Sequence, residues 1–269
     1  MNVFGKYFEY DGISSDIYDV ILCSFEEVGN TRETGINYEL NTGDISPFRP
    51  IANFYGKRYS KPLEFKITLS KDGHNTNEFF SDIEQQKVIR WLTSSTDFRK
   101  FRIKDYDGSY YHDGIEYFCI CIGYEETVIN DSIAGMSFSF QCNAPYGFYQ
   151  EDITRFQVTD SKTIVIDNYS DEREMAYYPF IEITGTKTGD VVFHNDRLPD
   201  NDMQLHILNN QTLYIDNELC DITDNMNMFN YSSDTNLKWL SLLPGKNRLT
   251  ITGAINGYIK CRYPRKVGI

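Results

Sequence analysis

His194-Asn195-Asp196-Arg197, following the apolar run Val191-Val192-Phe193, is the cluster in this sequence whose residue types best suit ligand chemistry. An imidazole, an amide and a guanidinium can grip sugar hydroxyls when they alternate as His-x-Asn-x-Arg, because alternate residues of a strand share a face. Here His194 and Asn195 are adjacent, so an extended segment turns them to opposite faces. A sugar also wants a stacking aromatic, for which Trp239 is the sole candidate in this half of the chain. His194, Arg197 and Trp239 are therefore the candidate carbohydrate contacts, with an ordinary polar turn as the plainer reading.

Catalysis has less to work with. The four histidines, His74, His112, His194 and His206, fall in neither a Gly-x-Ser-x-Gly elbow nor an HExxH helix, and no glycine-rich phosphate loop precedes a helix. The carboxylate pairs Glu26-Glu27 and Glu125-Glu126 are adjacent, which on strands aims them apart rather than at one substrate. Six cysteines, Cys23, Cys119, Cys121, Cys142, Cys220 and Cys261, lie mostly in apolar runs of a chain large enough to need no covalent staples. Reduced, buried thiols are expected, consistent with folding in a bacterial cytoplasm. Cys119 and Cys121 share one strand face but lack the two further ligands that zinc requires. The expectation is no enzyme, no metal and no cofactor.

The elements that must position these residues follow from size and pattern. A chain of 269 residues with 41% hydrophobic and 15% aromatic content partitions naturally into two β-rich domains, each with its own core. Its net charge of -13 repels polyanions, so sequence-reading of nucleic acid is excluded. The first ten residues hold no apolar leader core and nowhere do 18 apolar residues run together, so neither secretion nor membrane insertion is expected.

Residues 3–10 and 17–26 read as opening strands separated by Asp11-Gly12. Residues 29–62 are punctuated by Gly29-Asn30, Gly35, Gly43, Pro47, Pro50, Gly56 and Pro62, which predicts an extended arm or long hairpin with edge strands. Leu63, Phe65, Ile67 and Leu69 alternate along a clean strand. A helix is predicted over 82–94, opened by Ser81 and Glu84 as a capping box, with Val88, Trp91 and Leu92 on its core face. Strands follow at 98–104, 110–122 and 134–142. Past Tyr146-Gly147, strands are predicted at 155–159, 163–167, 178–184, 190–194, 203–208, 212–216, 237–242, 247–252 and 257–263, a spacing that suits a β-sandwich.

Taken in order, these features resemble the distal tail proteins of long-tailed bacteriophages, ring-forming parts of the tail tip. The residues that carry the resemblance are the opening Phe8-Glu9-Tyr10 strand with Asp11-Gly12-Ile13-Ser14-Ser15-Asp16, the helix ending in Trp91-Leu92, and the acidic turn at 105–107. Phe140-Gln141-Cys142-Asn143-Ala144-Pro145-Tyr146 closes the first half, and Tyr178-Pro179-Phe180, Leu213-Tyr214-Ile215-Asp216 and Leu243-Pro244-Gly245 follow in the second.

The resemblance implies a mainly β, two-domain protein. Residues 1–148 would form an antiparallel belt domain with one helix and an extended arm, and residues 149–269 a galectin-like or jelly-roll β-sandwich. It implies a homo-oligomeric ring of six copies in the virion tail tip, assembled in the host bacterial cytoplasm. The ring would contact the tail-tube protein, a tail-associated hub protein and receptor-binding or baseplate proteins, while DNA passes through without specific binding. In the arm, Phe48, Arg49, Phe54, Tyr55, Arg58 and Tyr59 supply the aromatic and arginine anchors that interfaces favour. The rival expectation is a carbohydrate-binding β-sandwich used in adhesion.

Overall fold

Alternating large apolar and polar residues turn most of the first half into strand. The computed structural model describes residues 7–23, 38–43, 51–72, 79–104 and 114–266. Its strands here are β1 (Tyr7–Tyr10), β2 (Ile13–Ser14), β3 (Val20–Leu22), β4 (Tyr38–Thr42), β5 (Phe54–Tyr59), β6 (Glu64–Lys71), β7 (Arg99–Lys104), β8 (Tyr117–Ile129), β9 (Ser132–Cys142) and β10 (Gly147–Phe148). One helix, α1 (Asp82–Thr93), lies between β6 and β7 in sequence. By its contacts the chain divides into Met1–Tyr149 with Arg265–Ile269, and Gln150–Pro264.

In the first unit seven strands form one sheet in the order β2-β1-β7-β8-β9-β6-β3, antiparallel throughout. Its ends approach each other: the Tyr7 hydroxyl donates to Asp72 at 2.7 Å, and the Asp72 amide donates to the Asp19 carbonyl at 2.8 Å. Phe8, Tyr10, Phe101, Phe138 and Phe140 are buried inside, with Phe65 stacked on Phe140 at 5.5 Å.

The predicted capping box opens α1. Ser81 Oγ accepts from the Glu84 amide, and the Glu84 carboxylate accepts from the Ser81 amide at 2.9 Å and from its hydroxyl at 2.7 Å. Lys71, at the end of β6, adds an ion pair to Glu84 at 2.7 Å, which ties helix to sheet. Trp91 stacks on Phe8 at 5.3 Å and on Tyr18 at 4.7 Å, and its indole N–H donates to the Tyr10 carbonyl at 3.2 Å. It is core, with its one polar atom satisfied.

Two predicted strands differ in extent. The expected strand at 17–26 starts as a 3-10 turn over Ser15–Tyr18, because Ser15 Oγ accepts from the Phe8 amide at 3.1 Å and folds the turn back onto β1. Only Val20–Leu22 is strand among its described residues. Of the strand expected at 110–122, residues 110–113 lie outside the described residues; β8 starts at Tyr117 and runs on to Ile129, ending in a turn in which Asn130 and Asp131 both take positive φ, 50° and 61°. The adjacent acids do not stop it, because they part to opposite faces: Glu125 pairs with Lys66 of β6, while Glu126 accepts from the Tyr124 hydroxyl at 2.6 Å and from Gln85 of α1.

The second unit contains β11 (Asp152–Val158), β12 (Ser161–Asn168), β13 (Phe180–Gly185), β14 (Gly189–Asn195), β15 (Met203–Ile207), β16 (Thr212–Asp216), β17 (Asp221–Asp224), β18 (Gly245–Thr252) and β19 (Ile255–Cys261). They form a five-stranded sheet, β11-β19-β13-β16-β17, and a four-stranded sheet, β12-β18-β14-β15. Period-two alternation buries Ile181, Ile183, Leu213, Ile215 and Ile259 from the first, and Val191, Phe193, Leu205, Leu249 and Ile251 from the second. Phe156 meets Phe193 across the two sheets, ring centroids 6.2 Å apart, as in a β-sandwich. Gly257 is required by this packing, because a Cβ there would lie 2.2 Å from the Glu182 carbonyl oxygen of the neighbouring strand.

The strand expected at 237–242 does not form, and β17 was not expected. Residues 240–243 are instead held by buried asparagine side chains. The Leu240 amide donates to Asn217 Oδ1 at 2.8 Å, the Ser241 carbonyl accepts from Asn195 at 3.0 Å, and the Leu242 carbonyl accepts from Asn168 at 3.0 Å. Asn247 takes both backbone groups of Leu243, at 2.9 Å and 2.7 Å. Leu242 also exchanges both backbone hydrogen bonds with Tyr177, at 2.7 Å and 2.9 Å, so side-chain amides surround a single bridge, which no periodicity in the sequence reveals.

Candidate interaction surfaces

The predicted arm is a two-stranded sheet of its own, β4 paired with β5 through Glu39↔Arg58 and Thr42↔Phe54, with a register shift between Leu40 and Thr42. At one end, aromatic rings tie it to the body of the first unit. Tyr59 meets Tyr146 edge-on at 5.5 Å, Tyr146 meets Phe148 at 5.5 Å, and Phe148 meets Phe118 of β8 at 5.9 Å. This relay gives the Ala144-Pro145-Tyr146 turn its work: it presents the ring on which the hairpin rests.

Four large apolar residues of this region are open to solvent. Leu40, Ile51, Phe54 and Tyr55 are 66%, 75%, 64% and 63% exposed, a grouping of large apolar residues that a solitary soluble chain gains nothing by displaying. Arg58 pairs with Glu39 at 2.7 Å on the surface. Phe48 and Arg49, the remaining anchors expected from the sequence, lie outside the described residues. Of the six, then, Phe54 and Tyr55 are open surface, Arg58 is matched within the hairpin, and Tyr59 serves the anchor.

The sugar candidates are placed separately. His194, on β14, faces outward and meets Asp202 through Nδ1 at 2.6 Å, while Asn195 turns inward to the asparagine network. Arg197 donates to the Pro244 carbonyl at 2.7 Å, and the Trp239 carbonyl accepts from Asn201 at 2.9 Å. Among the described residues no hydrogen bond or ring contact joins His194, Arg197 and Trp239, and no cluster of His, Cys, Asp and Glu has the arrangement to hold a metal ion.

Two surfaces of the second unit were not read from the sequence. An open groove of about 360 Å³ is lined by Asp190, Gln204, His206, Asp234 and Asn236, with His206 Nδ1 2.8 Å from Asp190. On the outer face of the five-stranded sheet, pairing aligns Arg155, Tyr258, Glu182, Tyr214 and Thr223 in one row. There the Tyr258 hydroxyl donates to Glu182 at 2.6 Å, which, with desolvation, pushes its pKa up to about 12. Except for Ile153, every second residue of these strands is polar or aromatic, so the signal was present, but the row exists only once register aligns five strands.

Comparison with known proteins bears on the whole chain. Residues 4–144 match the family described as phage tail protein N-terminal domain, and residues 146–261 match the phage tail C-terminal domain. The chain belongs to this phage tail protein family. Among curated proteins none matches it. Of solved structures, the SPP1 Dit (gp 19.1) protein, described as a paradigm of hub adsorption apparatus in phages infecting Gram-positive hosts, superposes with a TM-score of 0.63 at 12% identity, covering 96% of this chain and 98% of that one. A chain of the phage P2 baseplate in its activated conformation with calcium gives a TM-score of 0.54 at 10% identity, covering 98% and 100%. The strontium-bound form of that baseplate gives 0.52 at 11%, covering 95% and 98%. The tail protein therefore shares its fold with the SPP1 Dit protein over nearly its full length, which agrees with the resemblance seen in the sequence. Among the described residues no helix is long and apolar enough to cross a membrane.

Proposed function

We propose that this tail protein is a distal tail protein whose copies close into a ring of six at the tail tip. Its work is assembly geometry, not catalysis. The single observation that carries the reading is the hairpin, fixed at its base through Tyr59 and Tyr146 while Leu40, Ile51, Phe54 and Tyr55 stand in solvent. A closed ring uses head-to-tail contacts, one patch fitting a different patch on the next copy, and a projecting apolar hairpin suits that geometry. The unit of Met1–Tyr149 with Arg265–Ile269 forms the belt, and the unit of Gln150–Pro264 forms a galectin-like sandwich. By kinship with Dit and the P2 baseplate, the ring joins the tail-tube protein to a tail-associated hub and to receptor-binding or baseplate proteins. A net charge of -13 favours passage of DNA without adhesion.

The test is mass in solution across a concentration series, with electron images of any large species. A six-fold annulus, weakened by Phe54→Ala or Tyr55→Ala, is the expected result. A strictly monomeric chain at every concentration, together with glycan binding lost on Arg197→Ala or Trp239→Ala, would favour the adhesion sandwich instead.

A further inference from the structure

We propose that Cys119 and Cys142 close into a cross-strand disulfide when the protein meets an oxidising medium. Register carries this. Cys119 on β8 lies directly opposite Cys142 on β9, and both side chains are buried on the same inward face. The Asn143 amide donates to the Phe118 carbonyl at 2.8 Å, so 118 and 143 are a hydrogen-bonded pair and 119 with 142 is the adjoining non-hydrogen-bonded pair. Such pairs bring Cα atoms to about 4.5 Å, at the short end of the roughly 4.4–6.8 Å that a disulfide spans. No other two cysteines are in register: Cys121 faces Phe140, Cys261 faces Asp152 and the Cys23 amide donates to the Thr68 carbonyl at 2.9 Å, while Cys220 is on the surface of the other unit.

The chemistry balances with a small-molecule disulfide as oxidant. One cysteine, as its thiolate, attacks the oxidant and releases one small thiol, leaving a mixed disulfide. The second cysteine attacks that bond, releases the second small thiol and closes the link, so two protein thiols lose two electrons and two protons to the oxidant. Burial raises the Cys119 pKa, so the closed fold reacts slowly and the reaction proceeds when the start of β8 opens. A thiol such as dithiothreitol reopens such a link by the same exchange. Its place matters, because Cys142 ends β9 just before the turn whose Tyr146 supports the hairpin. Oxidation would fix the base of that support.

The experiment incubates the full chain with oxidised glutathione, with and without sub-denaturing urea, and maps its non-reduced peptides by mass spectrometry. The expected result is a linked peptide pair containing Cys119 and Cys142, lighter than the sum of its parts by two hydrogens, cleaved by dithiothreitol and faster to form in urea. Cys119→Ala and Cys142→Ala should each abolish it. Recovery of all six thiols after oxidation, glutathione adducts that never close, or a dominant link through another cysteine would overturn the proposal. The map of the unaltered chain decides the matter even if either variant fails to fold.

Discussion

The β4–β5 hairpin of the first unit and the segment 240–244 of the second, just ahead of β18, both stand apart from the main sheets, yet they are held by opposite means. The second is drawn inward. Leu240 and Leu242 are buried, and Asn168, Asn195, Asn217 and Asn247 satisfy the backbone around them. The hairpin satisfies its own backbone by pairing but leaves its largest side chains in water. A segment whose apolar and polar needs are met internally is structure. One whose polar needs alone are met is prepared for another surface, because apolar area is then the only thing left to bury.

Removing an amide from the closed segment is the severest way to break this contrast. Asn247→Ala empties a fully buried position and leaves the part-buried Leu243 amide and carbonyl without their partner, and the expected loss is about 3 kcal/mol. It would be read as an earlier unfolding transition with loss of hydrogen-exchange protection around 240–247. If protection there is unchanged, the asparagines are not what holds the segment.

Phe54→Ala and Tyr55→Ala sharpen the other side. Each should change the stability of the isolated chain by less than about 0.5 kcal/mol, while weakening self-association by about 2 kcal/mol, near thirty-fold. Denaturant unfolding and sedimentation together check this. A large stability loss would show that these rings already pack within their own chain.

A smaller effect concerns the helix that stands between the two designs, exposed but tied down. Lys71 first, then Ser81, hold the Glu84 carboxyl at about 2, below its ordinary value of 4.5. Because the folded value is the lower one, the stabilisation is complete above the unfolded pKa and is lost as pH falls from about 4.5 towards 2. Glu84 is partly exposed, so solvent screens the pair and the loss should stay near about 1 kcal/mol. Glu84→Gln should flatten that part of the acid-unfolding profile, and an unchanged profile would remove Glu84 from the account. Smallest of all, Arg58→Ala breaks only the surface pair with Glu39 and should cost less than about 0.5 kcal/mol in thermal unfolding.

Local signals were legible wherever one stretch of chain contained the whole cause. Ser81 and Glu84 announce α1 because a capping box spans three residues, and Val88, Trp91 and Leu92 mark its buried face. Leu63, Ile67 and Leu69 are buried as their alternation requires, and the strand is displaced by a single residue, to Glu64–Lys71. The segment at 237–242 looked like strand because Leu240 and Leu242 are core residues, but its hydrogen-bond partners are one backbone bridge to Tyr177 and asparagines up to 74 positions away. The interface candidates show the same division. Sequence marks Phe54, Tyr55 and Tyr59 as alike, whereas packing against Tyr146 makes Tyr59 an anchor and leaves the other two free.

By itself the amino-acid sequence determined the mainly β character, the helix and its cap, the extended arm, and the kinship with phage tail proteins. All of these rest on short-range periodicity or on the order of compact motifs. Only the tertiary structure decided which aromatic rings are buried, which amides hold the segment ahead of β18, and that Cys119 faces Cys142. Those outcomes depend on register between distant strands, and a register is a property of two stretches of chain that neither contains alone.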